Sequence, residues 1–231
     1  MSDALWAKLR EVDTPTVCNA IEVAQGKRGF DAFTRGTFQA SAPNDPAMVG
    51  FARTAQIAGK EPPTEAPDVI RARRMDYFRH MDAGDLPKVA VTEDLDGAEA
   101  VSAWWGEVHT TVHKGLGCVG AITSGPMRDL GDMVEGFPVI ASSIGPSHAF
   151  VHVRTIGEGA TVHGLTCQDG DLIHADRHGA LVIPASVIPD LLAAIEKMQS
   201  TEGIVLDPAR EPGFNFEKLE AAWRAFEKAR T

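Results

Sequence analysis

Gly120-Ala-Ile-Thr-Ser-Gly125-Pro-Met-Arg128-Asp129-Leu-Gly-Asp132 decides how the rest of the chain is read. Its apolar start, continuous with Cys118 and Val119, has the composition of a buried strand, and Ser124-Gly125-Pro126 has that of the turn ending it. An arginine and an aspartate follow at once. In α/β folds the space beyond strand ends is where ligands bind. A guanidinium there can hold a small carboxylate or keto acid through two parallel hydrogen bonds. A neighbouring carboxylate offers a hard oxygen ligand for Mg²⁺ or Mn²⁺. The plain alternative is an Arg-Asp surface pair after a turn, which contributes little.

Outward from this stretch, helical and strand patterns alternate. Asp13-Thr14-Pro15-Thr16 predicts a helix start with Thr14 as cap and Pro15 in the first helical position, and Gly26 ends that helix. Residues 48–57 read as a strand, and 64–81 as an arginine-rich helix broken at Ala83-Gly84-Asp85. Residues 87–92 form a short buried strand that runs into Glu93-Asp94-Leu95-Asp96. A helix over 106–114 precedes the decisive strand, and 139–141 is another strand. Residues 150–184 are β-like, with glycine-marked turns. A helix over 186–199 shows Leu191, Leu192 and Ile195 on one face, and 216–228 predicts a terminal helix. With no internal repeat and no linker, the expectation is one α/β domain over 1–231, its tail from about 201 helical.

The totals narrow the function. A chain of 231 residues, 44% of them hydrophobic, can bury a full core. A net charge of −10 argues against a sequence-independent nucleic-acid binder. It also means that an anionic substrate must be received by local positive charge. Cys18, Cys118 and Cys167 are too few for a disulfide framework and read as thiols of a reducing cytoplasm. The start carries no signal-peptide h-region, and no apolar run is long enough to span a membrane, so a cytoplasmic protein is expected.

Trp104-Trp105-Gly106-Glu107-Val108-His109 is the second informative stretch. With Gly106 as N-cap, the amides of Glu107, Val108 and His109 lack intrahelical partners and can bind a carboxylate. Glu107 also suits the first turn, where the helix dipole favours negative charge. The structural alternative is an amphipathic helix with Trp104, Val108 and Val112 in the core. His109 and His113, four apart, lack the glutamate and third ligand of a zinc motif. Gly115-Leu-Gly117-Cys-Val-Gly120 matches a dinucleotide fingerprint in letters only, because a helix precedes it and a strand follows. Lys60, Lys88 and Lys114 read as surface lysines rather than Schiff-base formers. A metal-dependent mechanism fits better than a covalent one.

Three stretches in order resemble the RraA-like family. It comprises aldolases of 4-hydroxy-4-methyl-2-oxoglutarate and 4-carboxy-4-hydroxy-2-oxoadipate, and the regulators of ribonuclease activity related to them. The stretches are Trp105 to His109, then Gly120 to Asp132 with its Arg128-Asp129-x-x-Asp132, and Gly170-Asp171-Leu-Ile-His174-Ala-Asp176-Arg177-His178-Gly179-Ala-Leu-Val-Ile-Pro184. The match is good over about 87–200 and loose over the N-terminal third. The resemblance implies a compact β/β/α, swivelling-domain-like fold that assembles into trimers or hexamers with sites at subunit interfaces. It implies a small keto-acid substrate held by the turn Gly106 to His109 and by Arg128, with Asp129 as direct ligand of Mg²⁺ or Mn²⁺. Glu107 and Asp132 would act on that ion through water, and Glu196 or Glu202 could complete a neighbouring site.

The implied activity is a class II-type aldol cleavage giving pyruvate, with oxaloacetate decarboxylation beside it. A non-catalytic ribonuclease regulator, or a lyase for a sugar-derived keto acid, are the other readings the family leaves open. Two departures bear on substrate. Glu93-Asp94-Leu95-Asp96 stands where many members have a glycine-rich turn, and Asp176-Arg177-His178-Gly179 adds two potentially positive groups.

Overall fold

The structure, a computed structural model, describes residues 1–230. Its helices are α1 (Asp3–Glu11), α2 (Thr14–Gln25), α3 (Pro67–Asp82), α4 (Glu107–Gly115), α5 (Ile188–Arg210) and α6 (Phe216–Arg230). The strands are β1 (Gln39–Ala40), β2 (Met48–Ala58), β3 (Lys88–Asp94), β4 (Cys118–Thr123), β5 (Pro126–Met127) and β6 (Val139–Ala141). They continue as β7 (Ser143–Ile144), β8 (His152–Ile156), β9 (Ala160–Val162), β10 (Leu165–Cys167), β11 (Leu172–Asp176) and β12 (Gly179–Ile183).

The main sheet runs β1-β6-β4-β3-β2-β11-β12. Its centre, β2-β3-β4-β6, is parallel, and the flanking strands are antiparallel. Long β2 has two neighbours in succession on one side. Its Met48–Phe51 stretch pairs with β11, and its Ala55–Ala58 stretch pairs with β8 across a register shift at Gln56/Ile57. Such a shift bends and twists a strand, so the sheet curls.

Strand alternation sorts the core into layers. On one face, Val49, Leu172, Leu181 and Ile183 pack under α1, α2 and α5. Beside them on that face, Ala55, Ile57, Ala90, Ala121 and Val139 pack with residues of α3 and the Trp104-Trp105 pair that leads into α4. On the other face, Met48, Ala52, Val89, Val91, Ile122 and Ile140 meet the β9–β10 hairpin. This is the β/β/α arrangement expected from the sequence. Among the described residues no helix is long and apolar enough to cross a membrane.

Several local readings change. The cap of α2 is Asp13, whose Oδ1 accepts the Thr16 N–H at 2.9 Å, so Thr14 is already helical. A carboxylate outcompetes the hydroxyl because it also favours the positive helix end. The arginine-rich helix begins at Pro67 rather than 64, as proline suits a first turn. α5 continues to Arg210 with Pro208 in its last turn, and α6 packs back on it. The glycine run behaves as read: α4 ends at Gly115 and β4 starts at Cys118. A Cβ on Gly120 would lie 2.1 Å from Met48 Sδ and 2.7 Å from the Pro138 carbonyl, which fixes glycine where strands crowd.

Candidate active site

The decisive strand delivers its residues as expected, with one addition. β4 ends at Thr123, and after Ser124-Gly125 the chain forms β5 rather than a simple turn. β5 pairs in parallel with β7, and Trp105 bridges Met127. The Arg128 N–H donates to the Trp105 carbonyl at 2.8 Å. Two segments distant in sequence are thereby held edge to edge, and the start of α4 lies against Arg128-Asp129.

Gly106 is required at this contact. A Cβ there would lie 2.4 Å from Asp129 Oδ2 and 2.9 Å from Arg128 Cγ. Asp129 itself adopts φ 55°, a left-handed conformation that aspartate tolerates better than most residues. Its carbonyl accepts the N–H groups of Asp132 (2.9 Å) and Met133 (3.0 Å), which holds the unusual backbone in place. Its side chain turns to α4: Oδ2 accepts the Glu107 N–H at 3.2 Å and lies 3.4 Å from Arg128 Nε. That second contact lacks hydrogen-bond alignment, so Arg128 Nε is buried without a partner. Asp129 Oδ1 has no hydrogen-bond partner among the described residues, and a third of the side chain is open.

The structure therefore brings Gly106, Glu107, Arg128 and Asp129 together. The amides of Val108 and His109 have no acceptor among the described residues, which leaves the first turn of α4 open to an anion. Glu107 is exposed at that turn. Asp132 is exposed one turn on, and its carboxylate makes no hydrogen bond or ion pair among the described residues. No group of three or more His, Cys, Asp or Glu residues gathers into a metal cage among the described residues. A lone open carboxylate still suits Mg²⁺ or Mn²⁺, which keep much of their water shell and need only one or two carboxylates.

The side chains of α4 depart from the amphipathic expectation. Val108 is 64% exposed and Val112 38%, whereas Thr110 and His113 are buried. Aromatic rings draw the histidine face inward. His109 packs tilted against Trp104 (centroids 3.9 Å, 36°) and stacks on Phe78 (5.9 Å, 22°). His113 Nδ1 donates to the His109 carbonyl at 2.6 Å, and Tyr77 Oη lies 2.6 Å from His113 Nε2. Burial pulls both imidazoles down, His109 to about 3 with help from His113, Arg74 and Arg128, and His113 to about 4. Both are neutral near neutral pH, and their rings pack beneath the turn. The Tyr77 contact spans 36 residues, and no sequence spacing announced it.

Other expectations shift as well. Lys88 is buried at 4% exposure and donates to the Asp82 and Gly84 carbonyls, so it is no surface lysine. Asp176-Arg177-His178-Gly179 closes the β11–β12 hairpin beside Met48, at the start of β2, the opposite end of the strands from the end of β4. Within one chain its charges therefore lie away from Arg128 and Asp129. The acidic turn after β3 is tied down: Asp96 Oδ2 accepts the Gly59 and Lys60 N–H groups, and Glu93 accepts from Gln56 and Thr161. Asp94 is buried, with Oδ2 unpartnered, and burial raises its carboxyl to about 6. Glu196 and Glu202 lie on α5, which packs on α2 rather than on α4.

A family model described as RraA-like, Aldolase/RraA, matches residues 14–182. Among solved structures, an uncharacterized protein from Pseudomonas syringae pv. tomato superposes with a TM-score of 0.72 at 19% identity, covering 97% of this chain and 94% of that one. RraAS2 of Streptomyces coelicolor, described as an unusual member of the RNase ES inhibitor RraA family, gives 0.66 at 21% identity, covering 87% and 95%. A protein titled as a novel cellulase from microbes of the gut ecosystem gives 0.67 at 20%, covering 87% of each chain. At such identities these structures share the fold with this chain.

Proposed function

This chain belongs to the RraA-like family, and from that membership we propose that it is a divalent-metal-dependent carbon–carbon lyase. Its substrates are 4-hydroxy-2-keto acids of the 4-hydroxy-4-methyl-2-oxoglutarate type, cleaved to pyruvate, with oxaloacetate decarboxylation as a second activity. One observation carries this reading. Arg128 and Asp129 stand side by side against a helix first turn whose free amides, and whose neighbouring Arg128 Nε, lack partners.

Each residue has a task. The Val108 and His109 amides hold the carboxylate of the keto acid. Arg128 binds beside them and stabilises negative charge growing on the 2-keto oxygen. Asp129 would hold Mg²⁺ or Mn²⁺ through its open Oδ1, and the ion, when bound, supplies Lewis-acid polarisation of that keto group. Glu107, exposed at the same turn, takes the proton of the C4 hydroxyl. The O–H electrons form the new carbonyl, the C3–C4 bond breaks, and its electron pair enters the enolate of pyruvate. Decarboxylation uses the enolate-stabilising half alone.

The site is open on one side, with Val108, Leu130 and Ile144 exposed at 64%, 45% and 55% around it. An apolar rim of this kind favours cover by another copy, in keeping with a homotrimer or a pair of trimers. The test is pyruvate release from 4-hydroxy-4-methyl-2-oxoglutarate and from oxaloacetate, with Mg²⁺ and then with EDTA. Asp129→Asn is the better variant, because asparagine also tolerates the left-handed backbone. Chelator-sensitive release that this variant loses is the expected result. Release indifferent to both would overturn the mechanism, and no release at all would favour a binding role of the ribonuclease-regulator kind.

A further inference from the structure

β3 ends at Asp94, on the face of the sheet that carries the site. Side chains alternate along a strand. Ala90 packs with Trp104 and Trp105, and the Thr92 hydroxyl accepts the Trp105 Nε1–H at 2.9 Å. Asp94 follows on that face, while Glu93 turns to the other and meets Gln56 and Thr161. The Asp94 N–H donates to Ser124 Oγ at 2.8 Å, and the Ser124 N–H donates to the Thr92 carbonyl at 3.2 Å. A Cβ on Gly125 would lie 2.8 Å from Asp94 Oδ2 and 3.2 Å from Asp94 Cβ, so the carboxyl fills the space a side chain there would need. The end of β3 thus seats both arms of the site. Thr92 holds the Trp105 arm that leads into α4, and Asp94 holds the Ser124-Gly125 turn that leads to Arg128.

A charged filler is a costly choice at this spot. Asp94 is 3% exposed, Oδ2 is buried without a partner, and Oδ1 takes the Asp96 N–H at 3.0 Å. The charged group that faces it is Asp96, a like charge, and the Ser124-Gly125 turn brings none. Lys60, beyond Asp96, pairs with Glu99, and His163 reaches the Thr123 carbonyl from the opposite face. A carboxylate oxygen buried without a donor is unfavourable, whereas a neutral carboxyl costs far less. Burial raises the group to about 6 against the pull of its one hydrogen bond, and the Asp96 charge adds to the rise.

We propose that Asp94 is a positioning residue for the site: its neutral carboxyl seats Gly125 and so sets where Arg128 stands, and its ionisation unseats that arm. On ionisation a buried charge faces Asp96, the carboxylate turns toward water, and the turn carrying Arg128 loses its support. Its effect on turnover rests on the lyase reading, whereas its hold on Arg128 does not.

Amide spectra test the seat apart from the chemistry. In ¹⁵N-labelled wild type, the Gly125 and Arg128 amide resonances should shift together with a midpoint near pH 6. Asp94→Asn keeps the shape without the ionisation and should flatten both. In pyruvate release, wild-type kcat/KM should fall by up to about tenfold per pH unit above that midpoint, and Asp94→Asn should lose this decline. Asp94→Ala leaves Gly125 unsupported and should lower kcat/KM about tenfold or more at every pH. A midpoint that survives in Asp94→Asn, or a Gly125 shift that leaves Arg128 unmoved, overturns the proposal. Equal loss of activity in both variants at every pH would make Asp94 a filler and overturn it too. Coupled shifts in a protein that releases no pyruvate keep the seat and remove the lyase. Pyruvate release with no coupled shift does the reverse.

Discussion

Two aspartates in this molecule do the same structural thing with opposite consequences. Asp129 reaches 22 residues back to accept the N–H of Glu107 at the start of α4, and Asp176 reaches 162 residues back to accept the N–H of Thr14 at the start of α2. Each carboxylate satisfies a donor that a helix cannot satisfy by itself. Asp176 is saturated: Oδ2 takes Thr14 at 3.1 Å, Oδ1 takes the His178 N–H at 2.8 Å, and only 9% of the side chain is exposed. Burial alone would raise its carboxyl, yet these hydrogen bonds hold it below the ordinary range. Asp129 spends one oxygen and leaves the other open, on a backbone in the left-handed region. A closed cap locks a fold, whereas a half-used one leaves an oxygen free for a ligand.

The contrast breaks most sharply if the two positions are exchanged in experiment. Asp129→Asn is expected to lower metal-dependent turnover by about 10²–10³-fold or more, with little change in melting temperature. A large thermal loss with activity retained would reverse the roles assigned to the two carboxylates. Gly106→Ala comes next. Its Cβ collides with Asp129 Oδ2 and the Arg128 side chain, and a displacement near 1 Å can cost about 10²-fold in rate. Unchanged kinetics would show that the start of α4 takes no part.

Asp176→Ala should leave turnover close to wild type and destabilise the fold by about 1–2 kcal/mol, as lost helix caps do. Urea midpoints measure this directly. The pH dependence follows from the sign of the shift. A carboxyl held low in the folded state contributes stability above its unfolded value, about 3.9, and that contribution fades as pH falls through the folded value. Wild type and Asp176→Asn curves should therefore converge below about pH 4, and parallel curves would show the cap contributes nothing through its charge. The smallest expected effect is at Tyr77→Phe. It removes the hydroxyl that meets His113 Nε2 at 2.6 Å in a fully buried setting, at a cost of about 0.5–1.5 kcal/mol. A melting temperature equal to wild type would mean that water replaces the hydroxyl.

What was legible in the chain was local. Strand composition, glycines and the Arg128-Asp129 pair announced the strand, its exit and the polar end residues, because each depends on neighbours within a few positions. The same logic separated Gly115-Leu-Gly117-Cys-Val-Gly120 from a dinucleotide site, since element order is written in the sequence. Periodicity misjudged α4, where Val108 and Val112 face out and His109 and His113 face in. Hydrophobicity ranks valine as the core residue. The pocket beneath α4, however, is lined by Trp104, Tyr77 and Phe78, whose rings stack better on imidazole. The position of the Asp176 turn was not legible, because its charges say nothing about which end of the strands they occupy.

The sequence by itself determined the α/β pattern, the family, and the presence of an arginine and an aspartate just past a buried strand. Only the tertiary structure decided that Asp129 meets the first turn of α4, that Gly106 makes room for it, and that Asp176 closes a different helix at the far end of the strands. The physical reason is range. Strand, turn and cap propensities act over a few residues, whereas which helix a carboxylate caps depends on how the sheet curls and where the long-range contacts fall.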